Sequence, residues 1–247
     1  TTVFVGNDTP GAVTHITVNE EENRLLLHWD APTGVNNGYI DPASLTYTLI
    51  RRMNDQSVTL TESLTATSYS DGPFDLNVTP QQLVTYTLIP HSSTGSGEAK
   101  AHTCLIGKPY ETPFAESFRN QQLSTSPWST VRLKGTKAAW NLGAVGYEPD
   151  AVPQDEDGGL AWFNSALVPA GETARLLSPA IDISGLTRPE LTFYMYHYPV
   201  PLLDRDTVKI ECAADNGEYR LFEGAAFGIN HTQIGWVRHR IPLDLYK

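Results

Sequence analysis

The chain is predicted to be all-β, folded as two consecutive β-sandwich domains, and three observations predict it. Apolar and polar residues alternate with period two through the segments richest in Val, Ile, Leu, Thr and Tyr. Gly, Pro and Asn turn signals recur between those segments, and no stretch carries the 3.6-residue spacing of an amphipathic helix. With 247 residues, 40% of them hydrophobic, the chain has enough material for two ordinary cores.

The strongest alternation runs from Leu191 to Tyr198. Leu191, Phe193 and Met195 fall on one side, and Thr192, Tyr194, Tyr196 and Tyr198 on the other. Val208, Ile210 and Cys212 alternate with Lys209 and Glu211, which predicts an antiparallel neighbour reached through Asp204-Arg205-Asp206. Upstream, residues 175–183 read as a further strand, in which Pro179 requires an edge or a bend.

The first half is a series of shorter strands. They are predicted at 12–18, 24–29, 45–51, 57–60, 67–70, 83–89 and 98–106, with residues 31–38 as a long turn ending in Asn-Gly. Val3-Phe4-Val5 reads as a short strand or the tail of a preceding module. Seven short strands of this kind make a sandwich of immunoglobulin-like size. The details resemble a fibronectin type III domain over about residues 8–107. Trp29 stands where that family keeps its core tryptophan and Tyr47 where it keeps its third-strand tyrosine, while residues 76–86 match its leucine and tyrosine corner and residues 95–99 its closing hairpin. Pro90 departs from the pattern and predicts that pairing stops there. The first domain is therefore 1–107.

Residues 108–113 carry two prolines and are predicted to be a semi-rigid linker. The second domain, 114–247, opens with Phe114-Ala-Glu-Ser-Phe118. This opening, with Leu177-Ser-Pro-Ala-Ile-Asp-Ile-Ser, Leu191-Thr-Phe-Tyr-Met-Tyr, Asp206-Thr-Val-Lys-Ile, Gly235-Trp236 and Ile241-Pro-Leu-Asp-Leu-Tyr246, resembles the MAM and bacterial cleaved-adhesin group. The resemblance implies a jelly-roll sandwich used as an extracellular binding or adhesion module. It also implies closing strands beyond Lys247, so the second domain is expected to be cut short at its C-terminus, with further domains in the parent chain.

Composition narrows the partners. Seventeen Lys and Arg against 28 Asp and Glu give a net charge of −11, which repels phosphate backbones and argues against nucleic acid. No run of about 18 apolar residues is present to insert into a membrane. Thr1 begins no signal peptide, as expected of a mature piece of a longer protein. Cys104 and Cys212 fall in different halves, so free thiols are expected, with Cys212 buried.

Two clusters draw a functional reading. Asp155, Glu156 and Asp157 sit in a long Gly- and Pro-rich loop, residues 146–159, and with Glu116 alongside they would offer the hard oxygen donors that calcium takes. An exposed acidic triplet of this kind is more often solvated surface. The family resemblance implies a structural calcium near the opening glutamate. Tyr194, Tyr196 and Tyr198, with His197, form an aromatic row suited to stacking on a sugar or anchoring a protein; a row covered by loops is the competing reading. For catalysis the sequence offers no convincing site: Ser96, between two glycines, has no evident histidine partner, and His231 and His239 have no third zinc ligand. The expected function is a non-catalytic adhesion or ligand-binding module of a secreted or surface-anchored bacterial protein, recognising a glycan or a surface protein. The alternative is an accessory, non-catalytic region of a larger secreted protease or glycosidase.

Overall fold

The computed structural model describes residues 6–145, 151–155, 157–197, 206–228 and 235–246. It is all-β with antiparallel sheets, as the alternation predicts, and it divides into two compact units.

The first unit comprises Thr1–Lys108 and Ala213–Tyr219. Its strands are β1 (Thr14–Glu21), β2 (Arg24–Asp30), β3 (Thr46–Met53), β4 (Gln56–Leu64), β5 (Ser68–Asp71), β6 (Gln82–Ser92), β7 (Gly95–Ser96) and β8 (Lys100–Ile106). One sheet has the order β1-β2-β5; the other runs β4-β3-β6, with β7 and β8 both pairing β6. Two facing antiparallel sheets in this order are the fibronectin type III-like sandwich expected from Trp29 and Tyr47. Ile16 and Val18 on β1, and Leu25, Leu27 and Trp29 on β2, point inward at alternate positions to meet Tyr47, Leu49, Val84, Tyr86, Leu88, Cys104 and Ile106. Trp29 packs edge-on to Tyr47 at 5.4 Å and so ties one sheet to the other. Burying such an indole removes about 150–250 Å² from water, roughly 4–6 kcal/mol before entropy is subtracted.

A charged group is set against this core. Asp71, buried at the end of β5, takes both carboxylate oxygens to Arg51 (2.8 and 2.9 Å) and accepts a 2.7 Å bond from the Tyr86 hydroxyl. Burial, reinforced by the Asp71 hydrogen bond and charge, pushes the Tyr86 phenol well above its usual range. The Tyr86 hydroxyl is thus held by a carboxylate of β5, where a tyrosine corner would bond nearby backbone.

Pro90 does not end the pairing. β6 continues to Ser92 with Pro90 opposite Tyr47. The Pro90 carbonyl accepts from Gly97, and in a strand a residue's N and C=O point to the same side. On that side the ladder is already broken between Leu88, the last partner of β8, and His91, the first partner of β7. The missing donor therefore costs no ladder bond. Asn216, which belongs to this unit, closes the free margin of β8: its side-chain carbonyl accepts from the Leu105 N–H (3.0 Å) and its amide donates to the Leu105 carbonyl (2.9 Å).

The second unit comprises Pro109–Cys212 and Arg220–Lys247. Its strands are β9 (Ser129–Lys134), β10 (Trp140–Gly143), β11 (Leu160–Phe163), β12 (Thr173–Leu177), β13 (Glu190–His197), β14 (Thr207–Cys212), β15 (Arg220–Gly228) and β16 (Gly235–Pro242). Among the described residues they form four two-stranded ladders: β9 with β12, β10 with β11, β13 with β16 and β14 with β15. Three expectations are corrected here. β14 is not the partner of β13; it pairs with β15 across a loop in which Asp215 and Asn216 take positive φ before Gly217, a hairpin turn chemistry. The strand expected over 175–183 stops at Leu177, before Pro179, and only Ile181 beyond it makes a bridge. That bridge is to Tyr110, whose N–H bonds Ala180 and whose carbonyl accepts from Asp182, so residues expected to be linker are folded into the second unit.

Side-chain staples hold these short ladders. Glu172 Oε2 accepts from the backbone N–H groups of Thr136, Lys137 and Ala138 at 3.0, 2.7 and 3.0 Å. Gly135, at φ +89°, leaves the space its carboxylate occupies; a Cβ there would overlap the Glu172 side chain. Those bonds, from Lys137 and Thr136 foremost, hold the Glu172 carboxyl below its ordinary value. Trp140 Nε1 donates to the Ala174 carbonyl, and Arg175 reaches Glu211 at 2.7 Å.

Candidate functional site

The β13–β16 ladder is the longest register in the second unit, running from Glu190 opposite Pro242 to His197 opposite Gly235. Alternation gives it two unlike faces. Leu191, Phe193, Met195 and His197 share one face with Ile241, His239 and Val237, and there Ile241 and His197 are buried. The opposite face carries Thr192, Tyr194 and Tyr196 across from Arg240, Arg238 and Trp236. Residues directly opposite stand with Cβ atoms about 4.5–5.5 Å apart.

This outer face is aromatic and cationic. Tyr194 is 44% exposed, and Arg238 and Arg240 are exposed beside it. Tyr196 packs edge-on to Trp236 at 5.4 Å, and Trp236 is fixed by a 2.9 Å bond from Nε1 to the Val152 carbonyl. Arg240 lies 3.6 Å from Glu190, which also accepts a bond from Thr192. Arg238, opposite Tyr194, has no carboxylate partner among the described residues. Flat apolar rings beside polar edges and a planar guanidinium are the groups that stack on a sugar ring and bind its oxygens.

The predicted site residues divide across this ladder. Tyr194 and Tyr196 share the outer face, while Tyr198 lies outside the described residues. His197 does not join them: its odd position places it on the inner face, 1% exposed, with Nε2 3.1 Å from Nε2 of His239, which stacks on Phe193. Trp236, Arg238 and Arg240 were missed by sequence reasoning. The alternation of residues 236–241 marks them as one face, but which strand they meet is fixed only by the fold.

The acidic loop does lie beside the opening segment: Gly159 donates to the Ser117 carbonyl at 2.7 Å, and Arg119 Nε donates to the Asp157 carbonyl at 3.1 Å. Two of the carboxylates have separate partners. Glu116 caps the Phe118 N–H at 2.7 Å, and Asp157 faces Arg119 at 3.9 Å. Among the described residues no three His, Cys, Asp or Glu groups converge as metal ligands; Glu156 lies outside those residues.

Ser96 has a histidine partner after all. His91, directly across the β6–β7 hairpin, places Nδ1 2.7 Å from Ser96 Oγ and Nε2 2.8 Å from Thr48 Oγ1. A nucleophilic triad sets a carboxylate behind the imidazole to stabilise its cation. Thr48 supplies only a hydroxyl, so the arrangement is a cross-strand staple. Both cysteines are thiols; burial pushes Cys104 up to about 12, and it raises the half-buried Cys212 as well.

No family model matches the chain, and no curated protein matches it. Solved structures similar to it include the twitchin kinase region from C. elegans, at 13% identity and TM-score 0.30, covering 62% of this chain and 31% of that one. Another is the FN1–FN3 domains of chicken CNTN1, at 11% identity and TM-score 0.31, covering 71% of this chain and 59% of that one. The chain thus spans about a third and three fifths of the lengths of these two. Among the described residues no helix is long and apolar enough to cross a membrane.

Proposed function

We propose that this chain is a non-catalytic adhesion or ligand-binding module of a secreted or surface-anchored bacterial protein, in which the second unit binds a glycan through the outer face of β13 and β16. The finer assignment of that unit to the MAM and cleaved-adhesin jelly rolls is part of the same proposal and rests on the sequence resemblance. The observation that carries the reading is the exposure of Tyr194 on a face shared with Tyr196, Trp236 and Arg238. An aromatic ring left 44% open on an ordered strand is stacking area that needs no further ordering to bind.

The test is a glycan array probed with the whole chain and with Tyr194→Ala. Binding that the substitution weakens by about tenfold is the expected result, in the range of a buried aromatic anchor. Binding of equal strength in both proteins places the ligand elsewhere, and capture of a protein but of no glycan replaces the glycan by a protein partner. Calcium enters this proposal only as a brace of the acidic loop, and it would have to draw Glu116, Asp155 and Asp157 together from the separate contacts described above. A melting temperature raised by added calcium and lowered by chelator is expected; an unmoved one removes calcium from the reading.

A further inference from the structure

We infer that the glycan taken by this face is acidic, and that Arg238 receives its carboxylate while Tyr194 stacks on the sugar ring that carries it. The inference rests on the glycan reading above and adds the charge of the ligand.

Charge placement carries the argument. The chain has a net charge of −11, yet the outer row of β16 presents two arginines at alternate positions, Arg238 and Arg240. They are not equivalent. Arg240 has Glu190 at 3.6 Å and, across the strands, Thr192, which bonds the same carboxylate. Its charge is balanced within the protein. Arg238 is exposed, has no carboxylate partner among the described residues, and stands directly opposite the exposed ring of Tyr194. An exposed guanidinium in a strongly acidic protein is a local reversal of the field, and its planar fork of donors matches a carboxylate in two parallel hydrogen bonds. A stacking ring at cross-strand distance from that fork fits one hexuronic acid residue: the ring face on Tyr194, the acid group on Arg238. A neutral sugar would offer the guanidinium only hydroxyl oxygens, without the opposite charge or the paired acceptors of a carboxylate.

The experiment titrates the whole chain with a galacturonic acid oligosaccharide and with the same oligosaccharide after reduction of its carboxyl groups to alcohols, by calorimetry at low salt. The uronate is expected to bind at least about tenfold more tightly than the reduced sugar, as loss of a charge-assisted bond predicts. Arg238→Gln should remove that preference, bringing the uronate affinity down to that of the reduced sugar in the same variant, with Arg240→Gln as the control that keeps most of it. Equal binding of the two sugars, or an undiminished preference in Arg238→Gln, overturns the inference and leaves the glycan reading standing. Binding of neither sugar, where the array finds neutral glycans, overturns it too; an array with no hits at all takes the glycan reading down with it. These are exposed strand positions, so the fold of each variant is checked by its circular dichroism and melting temperature, and nuclear magnetic resonance of the unmutated chain gives a second readout. Uronate-specific shifts at Arg238 and Tyr194 support the assignment, and shifts confined to other residues reject it.

Discussion

The two units reach stability by different means. In the first, alternate residues of two sheets enclose one continuous apolar cluster, and strands on both sides contribute to it, from Val13 and Trp29 to Leu88 and Ile106. In the second, the buried apolar residues among those described are few and scattered: Ala138, Ala151, Leu160, Leu177 and Ile241. Polar staples accompany them, with Glu172 collecting three N–H groups of one turn, Trp140 Nε1 held by Ala174, and Arg175 held by Glu211. A core built across two sheets leaves its outer faces free but its strands dependent on one another. Tyr194, 44% exposed, stands on one of the short ladders of the second unit.

Substitutions can break or sharpen this contrast. The largest effect is expected for Trp29→Ala, about 3–5 kcal/mol of the first unit's stability by urea denaturation, because a fully buried indole leaves a cavity between the sheets. Leu177→Ala in the second unit should cost nearer ~2 kcal/mol, the low end for such a truncation, since a small core collapses more readily. The reverse order would erase the contrast. Next comes Asp71→Ala, placed at ~2–3 kcal/mol: it strands the Tyr86 hydroxyl and Arg51, but Arg51 is 24% exposed and water reaches part of its charge.

The Glu172 staple is expected to show itself in pH. Its folded carboxyl lies below the ordinary 4.5, so its contribution is complete above that value and is lost as pH falls through the folded one. Amide resonances of Thr136, Lys137 and Ala138 should shift together with a midpoint below 4.5, and Glu172→Gln should abolish the shared transition. Independent midpoints would mean the turn does not depend on Glu172. The smallest expected effect is chemical: a thiol reagent at neutral pH should modify Cys212 before Cys104, whose thiol sits in the apolar cluster and is pushed up to about 12. Modification of Cys104 at an equal rate in the native protein would show the first core to be open.

Much of the fold is local and therefore legible. Period-two burial gave the strands of the first unit to within a few residues, because each strand has one face against a core and the alternation records it. The same rule separates Tyr194 from Phe193 without any structure. It also separates His197 from the tyrosines, which grouping by chemistry overlooked: an odd-numbered residue on this strand cannot share a face with even-numbered ones. Pro90 misled for the opposite reason, since the side of the strand its nitrogen faces depends on where the neighbouring strands end.

By itself, then, the chain determined its class and the two faces of each strand, since side-chain direction in a pleated strand follows from position alone. Which strands meet was decided only by the tertiary structure. β13 pairs with β16 and not with the strand that follows it, and that choice sets Arg238 opposite Tyr194 and Trp236 opposite Tyr196. Partner choice depends on contacts between residues some forty positions apart, and no local preference encodes it.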